Sequence, residues 1–225
     1  MGTLTAGLSA GGSPGFGPAV GTTEEYNVGT WTASNSLNTT RVSLRGCGVQ
    51  TAALAFGGYT NPPFIIRNET EEYNGTSWVN SNPMNTARQD LGGAGTQTAG
   101  LAFGGDSGSG VSVLTTATEE YDGTSWATSP GSMNTARRAL AGAGTQTSAL
   151  AFGGSPPNTA ATEEYDGTSW TSANSMNTAR GFMASAGTQT AALGAGGDTT
   201  GGDTYVAATE EYNAPAPTTV TITAS

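Results

Sequence analysis

The chain contains no histidine and no lysine, one cysteine, and only 11% charged residues. Without histidine there is no Ser-His-Asp triad, no imidazole metal ligand and no histidine general base. Without lysine, Schiff-base chemistry at a side chain is excluded. The single cysteine, Cys47, excludes an internal disulfide framework and a cysteine-based zinc site. These absences favour a protein that is not an enzyme and that has no metal or cofactor.

Basic charge is also scarce, with 7 basic residues against 17 acidic ones and a net charge of −10. This balance repels polyphosphate and anionic lipid, so we expect no nucleic-acid partner and no membrane-surface role. No apolar run approaches the roughly 18 residues of a membrane span, so no membrane insertion is expected. The first residues lack the basic and apolar regions of a signal peptide. Any export would then follow another route, such as the release of assembled particles.

One sequence pattern occurs five times along the chain. A Gly-Gly pair precedes Thr-Glu-Glu-Tyr in every unit, a Trp follows that Tyr after five residues in the first four units, and Asn-Thr-(Ala/Thr)-Arg comes next. The tyrosines recur at intervals of about 45 residues, at Tyr26, Tyr73, Tyr121, Tyr165 and Tyr212. The five units account for residues 1–225, so we expect a single domain.

Each unit reads as four short strands, which we name A to D. In the third unit they are expected at residues 89–95, 99–104, 117–121 and 125–133. Asp-Gly or Asn-Gly between C and D favours a two-residue hairpin turn. Four-stranded units with a period of 40–50 residues are typical of propeller blades. The sequence therefore predicts an all-β protein, a five-bladed β-propeller with four-stranded antiparallel blades.

The phrases Leu-Ala-Phe-Gly-Gly, Glu-Glu-Tyr-Asp-Gly-Thr-Ser-Trp and Met-Asn-Thr-Ala-Arg resemble the kelch repeat over essentially the whole chain. The resemblance implies a β-propeller with strand A innermost and strand D outermost. The wording of the repeats is also similar to repeat proteins of tailed phages that infect marine bacteria. That likeness implies a location on a virion surface or outside the cell, with other virion proteins or a host-surface glycan or protein as partners.

A narrow hub explains the abundance of small residues. Five innermost strands converge on the axis, which predicts small side chains such as those of residues 92–95. Cys47 stands where the other units have Ala94, Ala143 and Ala186, so we expect it to be a small buried residue. Tyr and Trp are expected to fill the wider gaps between the outer parts of neighbouring blades.

The two chain ends suggest how the ring closes. The first unit begins at strand B, and the last unit has no Trp where strand D should be. Aligned on the A strand at 180–188, residues 218–225 end where the N-terminus begins, so we expect them to supply strand A of the first blade. The alternative is that they form strand D of the last blade. We prefer the inner position, because a missing inner strand would open the hub, whereas a missing outer strand exposes only an edge.

The carboxylates are the remaining candidates for chemistry. Five Glu-Glu pairs suggest a glycosidase, but neighbours on a strand face opposite ways and fivefold repetition favours a scaffold. We expect the Glu two residues before each Tyr to lie between blades and pair with Arg41, Arg88, Arg137 or Arg180, and the other Glu to be more solvated. Asp198 and Asp203 lie among glycines, which suggests either calcium binding or, as we prefer, a turn.

The B–C loops are the part of the unit that differs most between units, at residues 13–22, 59–69, 106–117, 155–161 and 198–208. Loops on a rigid scaffold commonly carry recognition. The second loop is the richest, and we expect the partner-binding residues to be Tyr59, Phe64, Ile65 and Arg67, with Tyr205 of the last unit as a neighbour. The alternative is that residues 64–66 only cap their own blade.

Three functions follow from these observations. The first is a non-enzymatic structural or binding propeller on a phage virion, as a decoration or host-adhesion protein, and the phage part of it rests on the resemblance. The second is a secreted or cell-surface carbohydrate-binding propeller of bacterial origin. The third is an enzyme that acts with carboxylates or a metal.

Overall fold

The computed structural model describes residues 1–15, 17–201 and 204–214. These residues form five antiparallel sheets around a central axis, and they contain no helix. The expected all-β, five-bladed propeller is confirmed. Strand A lies innermost in blades 2 to 5, and its residues line the axial channel.

The strands follow the chain in order from the hub outwards. Blade 1 has β1 (Ala6–Gly12), β2 (Val20–Asn27) and β3 (Thr30–Ser34). Blade 2 has β4 (Arg45–Val49), β5 (Ala52–Phe56), β8 (Thr70–Tyr73) and β9 (Trp78–Ser81), with β6 (Tyr59–Thr60) and β7 (Ile65–Ile66) as a separate hairpin in its B–C loop. Blade 3 has β10 (Gly92–Gly95), β11 (Gly100–Phe103), β12 (Thr118–Tyr121) and β13 (Trp126–Thr128). Blade 4 has β14 (Ala141–Thr145), β15 (Ser148–Phe152), β16 (Thr162–Tyr165) and β17 (Trp170–Ala173), and blade 5 has β18 (Ala184–Gly187), β19 (Ala191–Ala195) and β20 (Thr209–Asn213).

In blades 2 to 4, the turn between strands C and D is longer than the two residues predicted. In blade 3, Tyr121 pairs with Trp126, which leaves residues 122–125 in the turn. The carboxylate of Asp122 accepts hydrogen bonds from the backbone N–H of Thr124 and Ser125, at 2.8 and 2.7 Å. The Asp-Gly dipeptide therefore signals the turn correctly, but the aspartate side chain organises a wider loop.

Close approach of backbones at the hub requires glycine. A Cβ at Gly142 would lie 2.6 Å from the carbonyl oxygen of Gly93 in the neighbouring blade. Gly57, after strand B of blade 2, has φ of 65°, and a Cβ there would lie 2.6 Å from the carbonyl oxygen of Arg88. The repeated glycines thus allow blades to pack more closely than any side chain would permit.

Aromatic side chains fill the space between blades, as expected. The indole Nε1 of Trp170 donates to Thr118 Oγ1 of the preceding blade at 2.9 Å, and its ring lies 4.9 Å from that of Phe103. Trp78 and Trp126 make the same hydrogen bond to the blade before them, also at 2.9 Å. Cys47 is buried, which confirms its expected role as a small core residue.

The two end blades each show three strands among the described residues. At the start of the chain, Gly2 bridges Gly7, and the backbone N–H of Leu8 donates to the carbonyl of Met1 at 2.8 Å. Residues 1 and 2 thus occupy the last positions of strand A in blade 1. The predicted placement of residues 218–225 in that strand lies outside the described residues and stays a prediction.

Candidate functional site on the B–C loop face

Among the described residues, four ion pairs, buried or largely buried, join consecutive blades from blade 1 to blade 5, and the predicted partners are confirmed. The pairs are Arg41–Glu71 at 2.9 Å, Arg88–Glu119 at 2.8 Å, Arg137–Glu163 at 3.1 Å and Arg180–Glu210 at 2.8 Å. In each pair the arginine follows strand D of one blade, and the glutamate lies on strand C of the following blade. The repeated carboxylate therefore serves the assembly of the ring.

Glu119 illustrates how fully these carboxylates are engaged. Its Oε1 accepts from Arg88 and its Oε2 accepts from the backbone N–H of Asn85 at 2.6 Å. Arg88 also donates to the carbonyls of Gly104 and Ala117, at 2.8 and 2.9 Å. Burial lowers the pKa of Arg88, and the charge of Glu119 acts in the opposite direction. A carboxylate with this arrangement holds two blades together and presents no free oxygen for acid–base chemistry.

The second glutamate of each pair in blades 2 to 4 is more exposed than the first, as expected, but it also bonds to a neighbouring blade. The hydroxyl of Tyr165 donates to Glu120 of the preceding blade at 2.6 Å, and that of Tyr212 donates to Glu164 at 2.7 Å. Burial, together with the hydrogen bond to Glu120, raises the pKa of Tyr165 to about 12. Both glutamates of the repeat are thus used between blades.

The face that bears the A–B turns is also occupied by contacts between blades. In the Gly-Thr-Gln-Thr turn of blade 4, Gln146 Nε2 donates to the carbonyls of Gly100 and Tyr121 in blade 3, at 3.0 and 2.7 Å. Gln97 and Gln189 make equivalent bonds to the blades before them. These turns therefore repeat because each glutamine fastens its blade to its neighbour.

The opposite face carries the variable B–C loops, and the loop of blade 2 brings four predicted residues together. Strands β6 and β7 pair, and the rings of Tyr59 and Phe64 lie 4.9 Å apart. Phe64 and Ile65 remain 43% and 42% exposed. Arg67 donates to Glu69 Oε1 at 3.2 Å and to Thr60 Oγ1 at 3.4 Å, so its guanidinium is held within the hairpin. The hairpin stabilises itself and still presents apolar surface.

Tyr205 lies in the loop of blade 5 and is 70% exposed. It forms an isolated bridge with Asp198, three blades further along the chain than Tyr59. Tyr205 thus belongs to a separate part of the same face. Its participation in binding, like that of the blade 2 residues, stays a prediction.

Buried aspartates organise two of the other loops. Asp106 accepts hydrogen bonds from the backbone of Gly108 and Val113, at 2.9 and 2.7 Å, and from Arg138 at 2.9 Å. Asp198 accepts from Thr200 and Thr204 in the same manner, which supports the turn role that we preferred. Within residues 1–15, 17–201 and 204–214 no cluster of three acidic or cysteine side chains could hold a metal, and Asp203 lies outside these ranges.

Sequence reasoning missed a ring of strained residues at the axial opening of this face. The equivalent residues Ser43, Asp90, Ala139 and Phe182 have φ between 51° and 56°. The backbone N–H of each of the last three donates to the carbonyl of the one before it, at 3.1, 2.7 and 2.8 Å. Asp90 and Phe182 face this rim, where burial raises the pKa of Asp90 and the ring of Phe182 is half exposed. No glycine signals these positions, so the pattern of residue types could not reveal them.

Two further findings concern the class of protein to which this chain belongs. In the part of the chain that the structure describes, no helix has the length and apolar character needed to cross a membrane. No protein-family model matches the chain, and no curated protein matches its sequence. The kelch and phage resemblances therefore rest on the repeat motifs alone, and the described architecture assigns the chain to the five-bladed β-propellers.

Proposed function

We propose that this propeller is a non-enzymatic binding protein that recognises its partner through the B–C loop face. The observation that carries the proposal is the difference between the two faces. Residues that repeat from blade to blade, such as Gln146 and Glu119, form their hydrogen bonds with neighbouring blades. Among the described residues, the hairpin at 59–66 has one hydrogen bond to a neighbouring blade, from the backbone N–H of Ala19 to the carbonyl of Asn61. Its remaining surface is available to a partner.

The exposed side chains of this face suit a protein or glycan surface. Phe64 and Ile65 are exposed on the blade 2 hairpin, where the Arg67 guanidinium donates to Glu69 and Thr60. Val111 and Val113 of the blade 3 loop, and Phe182 at the axial rim, are also exposed. Aromatic side chains beside arginine are enriched where proteins bind partners, because they bury a large area and also form directional polar contacts.

The carboxylates support binding over catalysis. A general acid or base must reach the substrate, but both glutamates of blades 2 to 4 already hold arginine, tyrosine and backbone groups of other blades. An enzyme acting with carboxylates or a metal is therefore the least supported of the three functions.

The wider setting rests on the motif resemblance. The likeness to repeat proteins of tailed phages supports a virion surface position, as a decoration or host-adhesion protein, with virion proteins or host glycans as partners. A secreted or cell-surface carbohydrate-binding propeller is the second candidate, and the exposed aromatic rings also fit sugars. The net charge of −10 disfavours nucleic acid in either setting.

A loop exchange tests the binding face. Replacing residues 59–69 by the shorter blade 4 loop, residues 155–161, keeps the ends of strands B and C in register. Binding to host cells or to a glycan array is expected to disappear, while the melting temperature stays close to that of the unaltered protein. The control is Val49→Ser, which changes an exposed apolar residue on the opposite face. Binding that survives the exchange but is lost in the control would place recognition on the A–B turn face.

A further inference from the structure

Arg45 differs from every other arginine of the chain. The other six each lie within 3.2 Å of a carboxylate oxygen, in the pairs Arg41–Glu71, Arg67–Glu69, Arg88–Glu119, Arg137–Glu163, Arg138–Asp106 and Arg180–Glu210. Among the described residues, Arg45 has no such partner. In a chain with 17 acidic residues, an arginine without a carboxylate needs an explanation.

The position of Arg45 makes its lack of a carboxylate partner more unusual. It begins the innermost strand of blade 2 and lines an axial channel that measures about 880 Å³ between the described residues. The equivalent residues of the other blades are Gly92, Ala141 and Ala184, which are uncharged and small. No aspartate or glutamate of the described chain lines the channel. The guanidinium of Arg45 and the amino group of Met1 are thus the charged groups on the described part of this wall, which is otherwise built mostly from glycine and alanine.

A second residue departs from the repeat at the same place. Ser185 stands where blades 2, 3 and 4 have Gly46, Gly93 and Gly142. Its hydroxyl donates to the carbonyl of Gly142 at 2.8 Å and accepts from Arg45 Nη2 at 2.9 Å. Arg45 Nη2 also approaches that carbonyl, at 3.4 Å. Two side chains from blades 2 and 5, each unlike its counterparts, thus meet inside the channel and hold the guanidinium in one orientation.

Part of the guanidinium still lacks an acceptor. Arg45 Nη1 makes no hydrogen bond among the described residues, and Nε is unpaired as well, as it is in the other six arginines. Burial lowers the pKa of Arg45, and no neighbouring carboxylate offsets that loss of hydration. A charge without a counter-ion in a poorly hydrated site is costly, and an anion in the channel would remove this cost.

We propose that the axial channel binds a small oxyanion, a carboxylate or phosphate group, at Arg45. A planar guanidinium presents two parallel N–H donors to such a group, and the fixed orientation given by Ser185 reduces the entropy lost on binding. The small residues around it leave room for the anion beside the Nη1 donor. This site does not depend on the loop face, so either proposal can fail without the other.

Calorimetric titration with sodium phosphate, and separately with sodium acetate, tests the proposal at constant ionic strength against sodium chloride. One site per chain is expected for at least one of the two anions. Arg45→Ala, which restores the residue of blades 4 and 5, should weaken binding about tenfold or more, as expected for a lost charge-assisted hydrogen-bond pair. Ser185→Gly, which restores the residue of blades 2 to 4, should weaken it less, because the guanidinium keeps its charge and loses only its orientation.

Arg138→Ala is the matched control, since it removes one positive charge from a partly exposed pair away from the channel. Its affinity for the anion should equal that of the unaltered protein. Binding of acetate but not phosphate would identify a carboxylate ligand, and the reverse a phosphate ligand. No saturable binding of either anion, or equal binding by Arg45→Ala, would overturn the proposal. If Arg45→Ala fails to fold, unchanged binding by Ser185→Gly would overturn it instead.

Discussion

The guanidinium of Arg137 lies 3.1 Å from Glu163 of the next blade, and both side chains are almost fully buried. Replacing Arg137 by methionine leaves the Glu163 charge buried without a partner. We expect the free energy of unfolding to fall by about 3–5 kcal/mol, as for other broken buried pairs. Urea denaturation followed by tryptophan fluorescence measures the change. A small loss would mean that water reaches Glu163 once the guanidinium is gone.

The pair Arg67–Glu69 provides the contrast, because both of its side chains are about one-third exposed. Arg67→Met should change the free energy of unfolding by only about 0–1 kcal/mol, the usual value for surface pairs. The same denaturation series measures both variants. Equal losses for the two would show that burial does not determine the strength of these pairs.

Tryptophans at the same position of the repeat should differ in importance. Trp78 is buried and bonded to Thr23, so Trp78→Ala should cost about 3–5 kcal/mol. Trp31 is 54% exposed, and Trp31→Ala should cost about 0.5 kcal/mol or less. Acrylamide should quench the fluorescence of Trp31 first. A large loss for Trp31→Ala, or its protection from quenching, would show that another part of the chain covers it.

The tyrosines between blades predict a loss of stability in alkali. Burial, followed by the hydrogen bond to Glu72, raises the pKa of Tyr121 to about 12 from an ordinary value of 10.0. The unfolded chain therefore loses this proton at lower pH than the folded chain. The stability that protonated Tyr121 gives to the folded chain is fully present below pH 10 and is lost as the pH rises towards about 12.

Tyrosinate absorbance and the free energy of unfolding, both measured against pH, check this alkaline transition. The same protein unfolded in urea serves as the reference for solvated tyrosine. Titration of all tyrosines at the pH of the unfolded reference would contradict the prediction.

Gln146 tests the division between the two faces. Gln146→Ala removes two bonds to blade 3 and should lower the free energy of unfolding by about 1–2 kcal/mol, without reducing partner binding. The melting temperature and the host-cell or glycan assay measure the two effects separately. A loss of binding at unchanged stability would show that the turn itself touches the partner.

The repeat made much of the fold predictable. Gly-Gly, Tyr, Trp and Arg at fixed offsets indicated the blades, the aromatic layer and the ion pairs, because each has the same function in every blade. The turn after Tyr121 was predicted less well, since the bonds of the Asp122 carboxylate widen it beyond what the Asp-Gly pair implies.

Features that depend on one residue were harder to predict. Arg45 and Ser185 are 140 positions apart and meet only because the ring brings blades 2 and 5 to the same axis. The left-handed backbone of Asp90 follows from the closeness of the rim residues, and its residue type gives no sign of it. The packing of Tyr59 on Phe64 depends on the pairing of β6 with β7, which the shared loop suggests but does not establish.

The contacts between blades run in both directions: arginine reaches forward to the next blade, whereas tryptophan, tyrosine and glutamine reach back. Apart from Arg45, which reaches Gly142 of blade 4 and Ser185 of blade 5, these contacts couple each blade to its immediate neighbours, as in a linear array of interacting units. In such an array the middle members are held from two sides and the outer ones from one. Amide hydrogens of blade 3 should exchange more slowly than those of blades 1 and 5.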